Sequence, residues 1–507
     1  MEIRFETTLS DDPCSHIDEW RGECNPPPGS SIEQEDAADI DTDVFWHASE
    51  LYKQKCRGNY YLVCYPTSTG RIALLDEEAA DLLERFRFPA SLSAFYFGEE
   101  IPEKVRTAFS LFYQLGFLKN GARNSVNHTD TTAKTLSAWL HITNACNLHC
   151  DYCYVDKSSE SMTDDTTRKA IDAIFRSAIK HRFRKIQLRY AGGEASLQSE
   201  RVIALHDYAQ TLAQRYNIDL HASILSNGVF LSARTIDRLK DRNIAVMISL
   251  DGVGSYHDSQ RPFISGRGSF RLVDRTIAQL LAKGLVPHIS VTVSLRNLAG
   301  LPELISYILE RNLTFSLNYY RDNNCSSHIR DLQFTDQQMI DAMRSVFALI
   351  ERKLPQRSLL GSLIDKADLR YTHQSTCGVG DSYLVIDQRG GVAKCHADIK
   401  RTITTIAVDD PIQIIRDDRQ GVQASSIDEK EGCRSCSWRH WCTGGCPLLT
   451  YRSTGRSDVK SPNCNIYKAL FPHVLHLEAL RLLKYVQPYT LSYPQAEDRQ
   501  NTNLFYV

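Results

Sequence analysis

The sequence predicts an α/β protein: a partial (β/α)6 barrel of TIM type, preceded by a small winged-helix-like module and followed by a cysteine-rich domain. Three observations carry this expectation. Between Ala138 and Tyr320, six short apolar runs alternate with amphipathic stretches long enough for helices, the pattern of parallel strands with right-handed crossovers. Upstream, strand, turn, strand and helix patterns follow one another within residues 45–120. From Cys377 onward cysteines crowd together while regular periodicity weakens, so that segment should be held by ligands as much as by a core.

Residues 1–43 contain thirteen acidic and two basic side chains and the run Pro26-Pro27-Pro28-Gly29. Such a composition cannot offset its ordering entropy by burial, so a flexible acidic tail is expected over 1–44. In the module, assigned to 45–125, Tyr60 to Tyr65 and Arg71 to Leu75 read as strands around a turn at Ser68 to Gly70, and Asp76 is placed to cap a helix reaching Phe86. Val105, Ala108, Phe109, Phe112 and Leu115 mark a second helix ending at Gly116. The barrel is assigned to 135–325, with strands Ala138 to Thr143, Ile186 to Ala191, Leu220 to Ser226, Ala245 to Leu250, Ile289 to Val293 and Phe315 to Tyr319. Linker helices over 326–372, the cysteine-rich domain over 373–470, and a helix and tail over 471–507 complete the chain.

Of the 507 residues 42% are hydrophobic and 24% charged, a globular balance that excludes wholesale disorder. The formal charge of -2 gives no reason to expect a nucleic-acid or membrane-surface partner, and no apolar run is long enough to span a bilayer. The start lacks the basic and then apolar regions of a signal peptide, so a cytoplasmic location is expected. In that reducing compartment fifteen cysteines, an odd number, point to metal or cluster ligation rather than disulfides. Cys56 and Cys64 lack ligand spacing and read as buried hydrophobes; Cys14 and Cys24 receive no role.

Active sites of such barrels lie at the C-terminal ends of the strands, and the unusual residues fall there. After the first strand comes Cys146-x-x-x-Cys150-x-x-Cys153 on one loop. Three thiolates hold three corners of a four-iron cluster and leave the fourth iron open; a three-cysteine zinc site is the alternative. After the next three strands stand Gly192-Gly193-Glu194, Ser226-Asn227-Gly228 and Ser249-Leu250-Asp251-Gly252, each also readable alone as an ordinary turn. Together, in this order, these segments resemble the radical S-adenosylmethionine superfamily. The resemblance implies that Cys146, Cys150 and Cys153 bind a [4Fe-4S] cluster. It also implies that Tyr152, Gly192, Gly193, Glu194, Ser226, Asn227, Ser249 and Asp251 surround S-adenosyl-L-methionine, and that reductive cleavage there yields a 5′-deoxyadenosyl radical. A reductant protein such as flavodoxin or ferredoxin is implied as electron donor.

The C-terminal cysteines Cys377, Cys395, Cys433, Cys436, Cys442, Cys446 and Cys464 resemble, in every interval, the SPASM domain of peptide-modifying radical enzymes; two zinc sites are the alternative. The resemblance implies two auxiliary [4Fe-4S] clusters, three in all. Cys433, Cys436, Cys442 and Cys464 would hold one, and Cys377, Cys395 and Cys446 the other. An eighth cysteine present in relatives is missing here; either one iron stays open, or His373 or Cys325 fills the place.

The segment from His257 and Asp258 to Arg261 and Pro262 is also similar to SPASM-containing enzymes. His257, Asp258 and Arg261 are candidates for substrate contact, with a clasp of Asp258 and Arg261 as the alternative; His396 and Asp398 are candidates for tuning a cluster or relaying a proton, with a solvated loop as the alternative. The module at 45–120 resembles the PqqD-like element, which binds leader peptides by adding them as a strand at a sheet edge. A structural cap or a nucleic-acid-binding winged helix is the alternative, and the lack of a dense Lys/Arg stripe counts against nucleic acid. The function implied is maturation of a ribosomally made precursor peptide through its leader, by a cross-link or related C–H modification. A modifier of a folded protein, as sulfatase-maturating relatives are, and a non-catalytic iron–sulfur scaffold or redox sensor stand as alternatives.

Overall fold

The computed structural model describes residues 1–6, 41–66, 70–120, 135–423 and 425–489. Cys14, Cys24, the expected turn at Ser68 and most of the expected acidic tail lie outside them.

The N-terminal module contains a four-stranded antiparallel sheet of β1 (Ile3–Arg4), β3 (Tyr52–Lys55), β4 (Tyr61–Cys64) and β5 (Ile72–Leu75), ordered β1-β5-β4-β3. A second ribbon pairs β2 (Trp46–Ala48) with β6 (Leu118–Asn120). Helix α1 (Glu77–Glu84) begins where expected, with the Asp76 carboxylate accepting the Ala79 amide hydrogen. Helix α2 (Glu103–Gln114) lays Val105, Ala108, Phe109 and Phe112 into the module's own core, and Gly116 then turns the chain with a φ of 76°. Cys56 and Cys64 are buried, as their lack of ligand spacing suggested, and burial pushes both thiols up.

Residues 1–6 depart from the expected flexible tail. Ile3 and Arg4 pair with Leu75 and Leu74, and Ile3 and Phe5 are buried in the module's core. Alternating apolar side chains in a segment too short to read as a strand explain the difference.

All six expected barrel strands form, each within three residues of its expected ends: β7 (Thr135–Thr143), β8 (Lys185–Gly192), β9 (Asp219–Ser226), β10 (Ile244–Ser249), β11 (His288–Val293) and β12 (Thr314–Tyr319). They lie parallel in chain order. Helices α3 (Asp164–Lys180), α4 (Ser199–Tyr216), α5 (Ala233–Asp241), α6 (Phe270–Ala282) and α7 (Leu301–Glu310) form the crossovers. On one face Leu136, Leu140, Leu188, Ile224, Val246, Val291 and Phe315 join the main core with these helices. The alternate residues, facing the lumen, are largely polar: Ser137, Trp139, His141, Gln187, Arg189, Ser223, Ser290 and Thr292. A parallel sheet buried on both faces is usually apolar on both, so this alternation marks the lumen as a place for a polar ligand.

The sheet does not stop at six strands. β13 (Tyr383–Ile386) pairs in parallel with Ser137 to Leu140 of β7, and β14 (Gly391–Ala393) and β15 (Thr402–Thr405) extend it antiparallel to nine strands. The cysteine-rich segment is therefore built partly on the barrel's own hydrogen-bond network. Helix α8 (Asp336–Arg352) supplies the expected linker helix. It shares the main core with α9 (Cys464–Tyr485), which starts at the last cysteine rather than after residue 470.

Candidate functional site

The cysteine loop leaves the C-terminal end of β7 and is fixed from several sides. The Gly193 amide donates to the Thr143 carbonyl (2.6 Å) and the Glu194 amide to the Ala145 carbonyl (2.8 Å). A Cβ on Gly193 would stand 2.5 Å from the Ala145 oxygen and 2.6 Å from that of Asn144; one on Gly192 would enter the Thr143 carbonyl oxygen. Glycine is required here so that the end of β8 touches the backbone leading into Cys146. Glu194 is buried, and its carboxylate accepts from the amides of Ser196 (3.0 Å) and Asn227 (2.6 Å). The Asn227 side-chain amide donates to Asn147 Oδ1 (2.7 Å) and points at Cys146 Sγ (3.8 Å). The ends of β7, β8 and β9 thus close on one thiol. Ser226, also buried, turns its hydroxyl back to the Gly228 amide.

The far side of the loop is held by the segment following β10. Tyr152 donates to Asp251 Oδ2 (2.6 Å) and accepts from Arg261. Asp251 is wholly buried, its other oxygen accepts from the Thr292 amide (2.8 Å), and Arg261 lies 3.7 Å from it. Desolvation raises the Asp251 carboxyl above its ordinary value, opposed by Arg261 and Tyr152. The His149 amide donates to the Pro262 carbonyl (2.8 Å), and Leu148 bridges to Phe263. Arg261 therefore clamps the cysteine loop, and the clasp considered between Asp258 and Arg261 is not made. Asp258 accepts instead from the Phe270 amide (2.8 Å) and starts α6. Ser249 is half-buried at the end of β10.

Sequence reasoning missed Asn297, whose amide donates to the backbone carbonyls of Asp251 (2.6 Å) and Thr292 (2.9 Å). It also missed Arg296, which reaches Asp151 between two of the cysteines. Both follow the C-terminal end of β11, the position that singled out the earlier segments. Burial raises the thiols of Cys146 and Cys150, the latter to about 12.

The C-terminal cysteines form two groups. Cys433, Cys436, Cys442 and Cys464 line one pocket together with Trp438, Tyr467 and Phe471. Cys377, Cys395 and Cys446 share an apolar cluster with Trp139 and Tyr383 on the lumen side of the sheet. His396 stacks on Trp139 (4.4 Å between ring centroids) and hydrogen-bonds Tyr383; burial and nearby cations push it down to about 3. Asp398 accepts from Arg452 (3.4 Å). Among the described residues, no three His, Cys, Asp or Glu side chains converge on a single-ion position.

Of the two substitutes considered for the missing ligand, Cys325 has its thiol 3.4 Å from Asp156 on the segment following Cys153, and 3.8 Å from the Tyr154 carbonyl. His373 is tied by its backbone to His440.

Residues 140–305 match the model of the Radical SAM superfamily. The chain carries a radical SAM domain, with S-adenosylmethionine and a [4Fe-4S] cluster as the cofactors of that class. Among its relatives are the antilisterial bacteriocin subtilosin biosynthesis protein AlbA of Bacillus subtilis and the PqqA peptide cyclase of Bradyrhizobium diazoefficiens. The first is 24% identical over 53% of this chain and 58% of its own, the second 22% identical over 66% and 88%. The chain spans 61% of an uncharacterised Methanocaldococcus jannaschii protein that is 27% identical over 35% of this chain. The fold is like that of native anSMEcpe with bound AdoMet, with a TM-score of 0.54 at 16% identity over 69% of this chain and 99% of the other. Among the described residues no helix is long and apolar enough to cross a membrane.

Proposed function

We propose that this chain is a peptide maturase that abstracts hydrogen from a ribosomally made precursor peptide and so installs a cross-link or a related C–H modification. The observation that carries the reading is the closure of three strand ends on Cys146 through Gly193, Glu194 and Asn227, beside a lumen holding unpaired buried polar atoms. Those atoms are Trp139 Nε1, His141 Nδ1 and Ser223 Oγ. An unmatched buried donor or acceptor costs about 1–3 kcal/mol, which a polar ligand in the lumen would recover.

Cys146, Cys150 and Cys153 are the ligands proposed for the cluster, with Gly192, Gly193, Glu194, Ser226, Asn227, Ser249 and Asp251 forming the wall for S-adenosylmethionine. That pair supplies, when bound, a carbon radical able to remove hydrogen from an unactivated carbon. The chain's own residues position and enclose it: Tyr152, Asp251 and Arg261 fix the loop, and the glycines let backbone approach backbone. The two C-terminal cysteine groups are read as sites of two auxiliary clusters, one of them next to the lumen through Cys395 and Trp139. Two relatives are named for bacteriocin biosynthesis and for cyclising a peptide, which supports a peptide over a folded protein as substrate.

The test is anaerobic reconstitution followed by incubation with S-adenosylmethionine, a reductant and the peptide encoded beside the gene. The protein should take up about eleven to twelve irons, and the peptide should lose about two mass units. The triple variant C146A/C150A/C153A should form no 5′-deoxyadenosine. Cleavage by that variant would overturn the site; modification of a folded protein alone would overturn the substrate class.

A further inference from the structure

The cysteine loop comes to the surface at His149, which lies exposed between Cys146 and Cys150. On either side of it an apolar side chain is held out into solvent. Phe230, 68% exposed, stands between buried Val229 and Leu231 on the segment after β9, whose Asn227 donates to Asn147 of the loop (2.7 Å). Ile264, 72% exposed, lies in a turn closed by the Phe263 amide on the Arg267 carbonyl (2.8 Å) and the Gly266 amide on the Phe263 carbonyl (2.9 Å). That turn follows Pro262, whose carbonyl accepts from the His149 amide. Leu197, 47% exposed, follows β8 and adjoins Phe230 through the Ser196 hydroxyl on the Phe230 carbonyl (3.4 Å). Single exposed apolar side chains are ordinary, but three around one loop, displayed on hydrogen-bonded segments, mark a contact surface.

The charge around these side chains has one sign. Residues 226–236 and 259–273 contain no Asp or Glu, while Arg234, Arg267 and Arg271 are exposed. The acids nearby are already bound: Asp151 by Arg296, Asp164 by Arg201 (3.0 Å), Glu200 by Arg238, and Asp258 by the Phe270 amide (2.8 Å). We infer that this face is the docking surface for a small acidic protein that carries one electron, set down over the cysteine loop. An apolar centre with a cationic rim fits an anionic partner: the charges steer the encounter, and a small patch suits a brief complex. Exposure of the loop at His149 selects an electron carrier as the occupant, because electron transfer falls steeply with distance and this is where the loop meets solvent. The step moves one electron: the carrier is oxidised by one, the cluster is reduced by one, and no bond is made or broken. The inference rests on the proposed function only for placing a cluster at Cys146, Cys150 and Cys153; the peptide plays no part in it.

The probe for the test is an acidic flavodoxin, titrated in its oxidised form by calorimetry against the full-length protein without peptide, and against full-length R234E/R267E and F230S/I264S. Each variant should bind about tenfold more weakly than the wild type, with circular dichroism unchanged. After reconstitution, reduced flavodoxin should reduce the cluster of F230S/I264S about tenfold more slowly than that of the wild type in stopped flow, while dithionite should reduce both at the same rate. A variant that binds as tightly as the wild type would overturn the surface. A matching loss with dithionite would make these residues part of the cluster's own support and overturn it too. Hydrogen exchange on the wild type gives a measurement that needs no variant: flavodoxin should protect amides within residues 147–149, 228–234 and 263–268. Protection instead over residues 433–468, around the four-cysteine pocket, or no protection at all, would overturn the assignment. Failure to modify any peptide would sink the functional reading while leaving these binding results intact.

Discussion

Gly193 shows how much a single side chain decides. The resemblance implies that it lies beside S-adenosylmethionine, and in the structure it stands against the backbone of Asn144 and Ala145. Replacing it by Ala should push the cysteine loop away and lose about four irons per chain after reconstitution, with far-ultraviolet circular dichroism unchanged. Iron content equal to wild type would refute that. His257 offers a second test. It is fully buried, accepts from the Asp251 amide (3.2 Å) and pairs with Ser269, and burial with Arg261 nearby drives its value well below the ordinary histidine range. A histidine depressed in the folded state binds its proton more tightly when unfolded. Its contribution to stability is therefore full above about pH 6.5 and falls as pH drops below it. Urea midpoints between pH 7.5 and 5 should decline, and His257→Asn should flatten that decline. Asn297 and Arg296 were not legible because nothing about an Arg-Asn pair is unusual until β11 places it beside Asp251.

Among the elements, the six barrel strands were legible because their apolar residues recur within short runs separated by helical patterns. β1 was not, since two residues carry no periodicity and their partner lies far along the chain. β13 to β15 escaped notice for a similar reason: their pairing with β7 is long-range and leaves no local mark. Spacing set the seven C-terminal cysteines apart, and the resemblance divided them into two groups; in the structure Cys433, Cys436, Cys442 and Cys464 line one pocket, while Cys377, Cys395 and Cys446 belong to an apolar cluster. Spacing did not reveal Lys430. It is buried, donates to the Thr443 carbonyl (2.9 Å), and interacts electrostatically with thiols from both groups, Cys433 and Cys442 from one, Cys377 and Cys446 from the other. A buried cation favours the more negative, reduced form of a nearby cluster. Lys430→Met should lower the midpoint potential of at least one of the two proposed auxiliary clusters by an amount on the order of tens of millivolts. Redox titration followed by electron paramagnetic resonance measures this, and an unchanged midpoint would exclude an electrostatic role.

At the scale of the whole molecule, the six barrel strands and three strands of the cysteine-rich segment form one nine-stranded sheet. The N-terminal module is joined to it through the cysteine-rich segment, with Tyr52 of β3 packed edge-on against Trp438 at 4.7 Å, on the wall of the four-cysteine pocket. Cutting the chain after residue 372 would strip β13 from β7 and leave Ser137 to Leu140 as an uncovered edge. Such a truncation should aggregate on size-exclusion chromatography, whereas C146A/C150A/C153A, which leaves the sheet intact, should stay monodisperse. A monodisperse truncation with native circular dichroism would show that β13 is dispensable. The shared strand also bears on inheritance by recombination. A cysteine-rich tail exchanged between two such proteins must bring a β13 whose register and side chains fit the recipient's β7, because Tyr383 and Val385 pack in the lumen beside Trp139. The crossover point that preserves function is then set by a pair of strands, and lineages of tail and barrel should be found to travel together.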